Sequence, residues 1–148
     1  DIIIEPFING IKEYNLAGCK INGEFIFSII EEPAKADFLD FDKKYLDFSR
    51  TSKAQVASIS DTLAEEIKSS FKSIYNTAFE GAIIRGDFFV VGDEVFLNEI
   101  NPIPGSMANY LFDDFNAVLT NLSKVLPQKN KINITYEYVN KIQSAKGK

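Results

Sequence analysis

The stretch RGDFFVVGDEVFLNEINPIPG, residues 85–105, decides how this chain is read. Two apolar runs, FFVV at 88–91 and VFL at 95–97, flank a turn-forming Gly92-Asp93, and polar residues stand at the outer ends. Aromatic and β-branched runs broken by a glycine turn predict a β-hairpin. Side chains alternate faces along a strand, so Arg85 and Asp87 share one face, as do Glu99 and Asn101. Asp87 and Glu99 lie twelve positions apart, which sets them opposite each other if the loop has an odd number of residues. A three-residue loop, Gly92 to Glu94, meets that condition. One face at the open end of the hairpin then carries Arg85, Asp87, Glu99 and Asn101 together, and Pro102, Pro104 and Gly105 impose a defined loop beside them.

Outward from the hairpin, Ser58 or Ser60 can cap a helix whose first turns hold Asp61, Glu65 and Glu66. Its apolar face is expected at Leu63, Ile67, Phe71, Ile74 and Ala78, and Gly81 stops it. On the C-terminal side a second helix is expected from about Asp113 to Leu126, with Phe115, Leu119, Leu122 and Leu126 inward and Pro127 ending it. Toward the start, Ile2 to Phe7 reads as a strand, and Glu13–Ile21 and Glu24–Ile30 as a hairpin across Asn22-Gly23. Residues 31–57 are polar and aromatic-spotted without periodicity, the mark of a functional loop or lid. The last twenty residues read equally as strand or helix. Strands, loop, helix, hairpin and helix make an α+β layer, a mainly antiparallel sheet with packed helices and a mobile loop, organised as one domain over residues 1–148.

The composition narrows the chemistry. The 148 residues are 45% apolar and 25% charged, a folded composition long enough to bury a core. A net charge of −5, with scattered basic residues, argues against a nucleic-acid surface. No apolar run approaches the length of a membrane-spanning helix. The single cysteine, Cys19, cannot form an internal disulfide; its place in an alternating stretch predicts a buried structural thiol, and this usage fits a reducing cytoplasm. The chain has no histidine, so His-based triads, His-ligated zinc and His bases are excluded within it. A metal held by these residues takes oxygen ligands, which points to magnesium or manganese. The chain opens on Asp1 and runs straight into apolar residues, which is expected of a piece of something longer.

Two carboxylates opposed across a ladder repel unless a cation lies between them. Asp87, Glu99 and the Asn101 carbonyl suit a hard cation that also holds phosphates. Arg85 beside them could steady charge on a transferring phosphoryl group or a tetrahedral intermediate. The bland alternative is a surface ion network of little energetic worth.

Here the sequence resembles a family. Arg-x-Asp on one strand, then Asn98-Glu99-Ile100-Asn101 and Pro104-Gly105-Ser106-Met107, is similar to the metal-binding hairpin of ATP-grasp enzymes, and most similar to that of the D-alanine–D-alanine ligases. The resemblance implies an ATP-grasp C-terminal domain in which Asp87, Glu99 and Asn101 bind two Mg²⁺ (or Mn²⁺) ions on ATP, the co-substrate. It implies that Arg85 and the Gly105 backbone N–H stabilise the intermediates. Residues 2–8 resemble the strand and hinge that bind adenine, with Glu5, Phe7 and Ile8 at the base and Glu13 on the ribose. The spacing of Phe38, Phe41, Lys44, Tyr45 and Leu46 resembles the family's lid, where Lys44 and Tyr45 would close over phosphate and D-alanine and exclude water. The activity implied is ATP-dependent joining of two D-alanines for peptidoglycan precursors, in the cytoplasm.

The likeness runs over about residues 2–125 and departs from the pattern twice. Pro6 stands where a basic residue usually follows the hinge Glu, and Tyr110 stands where a Ser usually meets the second D-alanine. The family's N-terminal and central domains supply further substrate-binding groups, so those domains are implied partners, and this chain alone is expected to be inactive. A homodimer of the complete enzyme is left open, and neither nucleic acid nor membrane is implied. The rival readings are another ATP-grasp carboxylate–amine ligase and a non-catalytic nucleotide-binding module.

Overall fold

A computed structural model describes residues 10–33 and 54–126, together with Ile2, Ile4, Lys141 and Ser144. Four strands, β1 (Lys12–Ile21), β2 (Glu24–Glu31), β3 (Ile84–Val91) and β4 (Glu94–Asn101), form one antiparallel sheet in the order β2-β1-β3-β4. Helix α1 (Asp61–Ala78) connects the two hairpins; a short 3-10 segment (Gly105–Leu111) and helix α2 (Phe115–Val125) follow β4. The α+β class and the antiparallel sheet expected from the sequence are both present.

Local chemistry accounts for the elements. Asn22 and Gly23 take φ of 53° and 86°, the left-handed pair that a two-residue hairpin turn needs. Ser60 caps α1 by accepting from the Leu63 N–H, and Asp114 caps α2 by accepting from the Ala117 N–H. Beyond α1, Gly81 takes φ 84° and turns the chain into β3.

The sheet has two unlike faces. On one, Tyr14, Leu16, Ile84, Phe88 and Val90 pack with Ile67, Phe71 and Tyr75 of α1 into the main core. Gly18 belongs to this packing: a Cβ there would come within 2.9 Å of the Ile26 carbonyl oxygen and 3.2 Å of the Phe71 ring. Tyr75, not among the expected inward residues of α1, locks the helix to the sheet. It donates to the Ala82 carbonyl (2.9 Å) and accepts from the Lys20 N–H (3.2 Å), while its ring meets Phe25 edge-on. On the opposite face, Cys19 and Ile83 pack with Val118 and Leu122, and Ala17 packs with Ala108 and Leu111. Burial pushes the Cys19 thiol up to about 11, as befits an inert core cysteine.

Several expectations are corrected. The β3–β4 turn has two residues, Gly92 and Asp93, because Val91 already pairs with Glu94. Helix α2 buries Val118 and Leu122; Leu126 forms its C-cap and is exposed, since the helix ends one residue before it. Residues 54–57 run beside the end of β2, with Val56 bridging Glu31 and Ala57 N–H donating to the Ile30 carbonyl, so this end of the 31–57 segment pairs with the sheet. Ile2 and Ile4 are exposed and belong to no strand, having no strand partner among the described residues. The rest of the expected opening strand, most of the loop and the last twenty residues apart from Lys141 and Ser144 lie outside the described residues.

One feature of the backbone is unusual. Ser106, Met107 and Ala108 all take φ near +50° (51°, 53° and 53°), three successive L-residues in left-handed conformation. Each costs about 1–2 kcal/mol. The turn is held by the Met107 N–H donating to the Pro104 carbonyl (2.8 Å) and by burial of Pro104, Ala108 and Leu111.

Tyr75→Phe should therefore destabilise the fold by about 1–3 kcal/mol, because it strands the Ala82 carbonyl and the Lys20 N–H; urea unfolding of the protein reads it. Ser106→Gly, at an exposed left-handed position, should stabilise by up to about 1 kcal/mol in the same measurement.

Candidate metal and phosphate site

Arg85, Asp87, Glu99 and Asn101 gather on the second face of the sheet, the face that also packs against the 3-10 segment and α2. A β-bulge places them there. From the turn to Phe88↔Leu97 the strands pair residue for residue, but the next pair is Asp87↔Glu99. Asn98 is the extra residue. Without it, Asn98 would face Asp87, and Glu99 would pair with Gly86 and turn toward the α1 side. The odd count that the Asp87–Glu99 opposition requires thus comes from the bulge, not from the loop.

The pairing continues across the sheet. Asp87 is also paired with Asn15 on β1, and Asn15 with Glu31 on β2, so one row reads Glu31, Asn15, Asp87, Glu99. The adjacent row sets Ala17, Arg85 and Asn101 side by side. Asn15 donates to Glu31 Oε2 at 3.0 Å. The predicted Glu13 lies on this same face, exposed, its backbone paired with Phe89. Phe89 is half-buried and its partner Phe96 is exposed, so the polar row borders an accessible aromatic strip.

Arg85 and Asp87 make a forked pair: Nε donates to Oδ1 and Nη2 to Oδ2, each at 2.7 Å. Asn101 turns its amide nitrogen between the carboxylates, donating to Asp87 Oδ2 and Glu99 Oε1 at 3.1 Å each. The third arm of Arg85, Nη1, reaches the Tyr110 hydroxyl at 3.4 Å. Burial pushes the Asp87 carboxyl above the ordinary aspartate range; Arg85 opposes this and the Glu99 charge adds to it. The two hydrogen bonds that Arg85 donates to Asp87 raise Arg85 against its own desolvation, so the guanidinium stays charged. Burial and the Glu31 charge raise Tyr110, which keeps it a neutral phenol.

This arrangement brings together Arg85, Asp87, Glu99 and Asn101, with Gly105 opening the 3-10 segment that follows. A Cβ on Gly105 would meet nothing within 4 Å, so its glycine is not demanded by packing within the described chain. The predicted Glu5, Phe7, Ile8, Lys44 and Tyr45 lie outside the described residues. Sequence reasoning missed Asn15 and Glu31 as members of the row and the Tyr110–Arg85 contact. A polar Asn15 between buried Tyr14 and Leu16 was the available signal, but only the β1–β3 register says what it faces.

Among the described residues no three His, Cys, Asp or Glu side chains cluster to hold a metal. The donor set is two carboxylates and a carboxamide, all oxygen ligands, which fits Mg²⁺ that takes its remaining ligands from phosphate and water. Asp87 Oδ2 already accepts from two donors and Oδ1 from one, so Oδ1 and Glu99 are the readier oxygens. Among the described residues no helix is long and apolar enough to cross a membrane.

Comparisons with known proteins show what the chain is similar to. The crystal structure of D-alanine–D-alanine ligase from Helicobacter pylori superposes with a TM-score of 0.69 at 53% identity, covering 85% of this chain and 34% of that one. The D-alanyl-alanine synthetase A of Vibrio cholerae, at 20% identity and a TM-score of 0.55, shares the fold. Proteins named D-alanine–D-alanine ligase from Wolinella succinogenes and Helicobacter pylori strain HPAG1 are 61% and 60% identical over 146 residues. The chain spans 42% of the length of each of these two relatives while 99% of it is matched. The family model for the D-ala D-ala ligase C-terminus matches residues 1–117, and the chain belongs to that family.

Proposed function

We propose that the complete protein carrying this chain joins two D-alanine molecules at the expense of ATP, forming the dipeptide of peptidoglycan precursors in the cytoplasm. The observation that carries this reading is the opposed Asp87–Glu99 pair with Asn101 and Arg85 on an open sheet face, inside a match to the ligase family. The relatives' shared name supports the substrate. In this reading residues 1–148 are one ATP- and metal-binding domain with a lid at about 31–57, and N-terminal and central domains complete the site. A homodimer of the complete enzyme is compatible with it.

Asp87, Glu99 and Asn101 are the proposed holders of magnesium or manganese, two ions in the full assignment. The metal supplies neutralisation of phosphate charge when bound. To serve it, Asn101 turns its carbonyl oxygen inward in place of the amide nitrogen, and Asp87 offers the oxygen that carries a single donor. Arg85 keeps a positive charge beside the phosphoryl group and, with the Gly105 N–H, holds the oxygen of the tetrahedral intermediate. Lys44 and Tyr45 close the lid over the reacting groups and exclude water; Glu5, Phe7 and Ile8 hold adenine and Glu13 holds ribose. These residues position and neutralise, which is most of what phosphoryl transfer asks of a protein.

Phosphate release from ATP by the complete protein should depend on D-alanine and fall roughly a hundredfold or more in Glu99→Gln. Dependence on a different amino acid would keep the chemistry and discard the substrate. Release untouched by Glu99→Gln would remove the hairpin from catalysis.

A further inference from the structure

Arg85 has three arms and two partners. Two arms are committed to Asp87 at 2.7 Å each, and the third meets Tyr110 at 3.4 Å, a long contact for a hydrogen bond. If Asp87 also serves a metal, its hold on Arg85 is shared. Tyr110 is then the partner of Arg85, among the described residues, that is not shared with the proposed metal. The geometry points to Tyr110 as a positioning residue, which fixes the outer edge of the Arg85 guanidinium so that its direction does not depend on Asp87 alone. This inference rests on the catalytic reading of Arg85 proposed above.

Three further observations support it. Tyr110 comes from a different element than Arg85 and Asp87, so it anchors the guanidinium to the 3-10 segment and not only to its own strand. A forked pair between residues two apart can pivot as a unit about the strand; a contact from a separate element stops that motion. The segment reaches Arg85 through the left-handed run Ser106–Ala108, whose conformational cost is offset by the burial of Ala108 and Leu111 against Ala17. Ala17 is the β1 residue paired with Arg85 itself, so the strained turn is seated beside the arginine it serves. Finally, as a neutral phenol the Tyr110 hydroxyl accepts from Arg85 with its hydrogen still available.

The test uses the complete protein with Tyr110→Phe, which removes only the hydroxyl, alone and combined with Arg85→Lys. Tyr110→Phe should lower kcat for D-alanine-dependent phosphate release roughly tenfold, the size expected for one hydrogen bond to a charged group, with KM for ATP and melting temperature unchanged. In the Arg85→Lys background the same substitution should cost under about twofold, because the fork it steadies is gone. NMR of the arginine Nε–H and Nη groups gives a readout independent of activity: Tyr110→Phe should release the Arg85 Nη rotation that the native protein restrains. An unchanged kcat, an equal loss in both backgrounds, or a loss confined to KM for D-alanine would overturn the inference. If the native protein releases no phosphate with D-alanine, the proposed function fails, and the NMR comparison alone decides whether Tyr110 holds Arg85.

Discussion

Glu99 faces Asp87 because β4 carries one residue more than β3 between the turn and the site, and the rest of the arrangement depends on that count. A strand has a side-chain period of two, so a slip of one residue would send Glu99 to the core face and put Asn98 against Asp87. Ladder pairs on the turn side and on the site side are each regular, and the single irregular step lies between them. The outcome is a pair of carboxylates held at ladder distance by backbone hydrogen bonds, which side-chain repulsion is too weak to undo.

The sheet tolerates this charge because its two faces do different work. The α1 face carries most of the apolar burial, with Leu16, Ile67, Phe71, Tyr75 and Phe88 almost wholly enclosed. Among the described residues the other face is covered where Ala17, Cys19 and Ile83 meet the 3-10 segment and α2. Above that cover, Asp87 and Arg85 keep only 14% and 20% of their side-chain surface exposed, dry enough for strong electrostatics and open enough for a ligand. Repulsion between the carboxylates is met by two cationic or amide donors, Arg85 and Asn101, which stand where a metal's charge would also be effective.

What could be read from the sequence followed periodicity and turn chemistry. The Asn22-Gly23 hairpin, the Ser60 cap, α1 and the sharing of a face by Arg85, Asp87, Glu99 and Asn101 all rest on local signals, and all are present. The bulge was not legible, because nothing in Leu97-Asn98-Glu99 distinguishes an extra residue from a longer loop; parity gave the right opposition for the wrong reason. Tyr75 was missed because its ring reads as one more aromatic among many, while its hydroxyl contacts are made to residues distant in sequence. The row through Asn15 to Glu31 depends on which strand lies beside β3, and strand order is a property of the whole sheet.

That last limit explains where the polar network extends. β1 is central, paired with β2 on one side and β3 on the other, so any polar residue on its open face is held between two neighbours. Asn15 occupies that place with a side chain that both donates and accepts, and it spends a donor on Glu31. A third carboxylate is thereby kept in the row but two strands away from Asp87. Spreading the acids along a row, with an amide between them and a guanidinium one row below, leaves only Asp87 and Glu99 as direct neighbours among the three carboxylates.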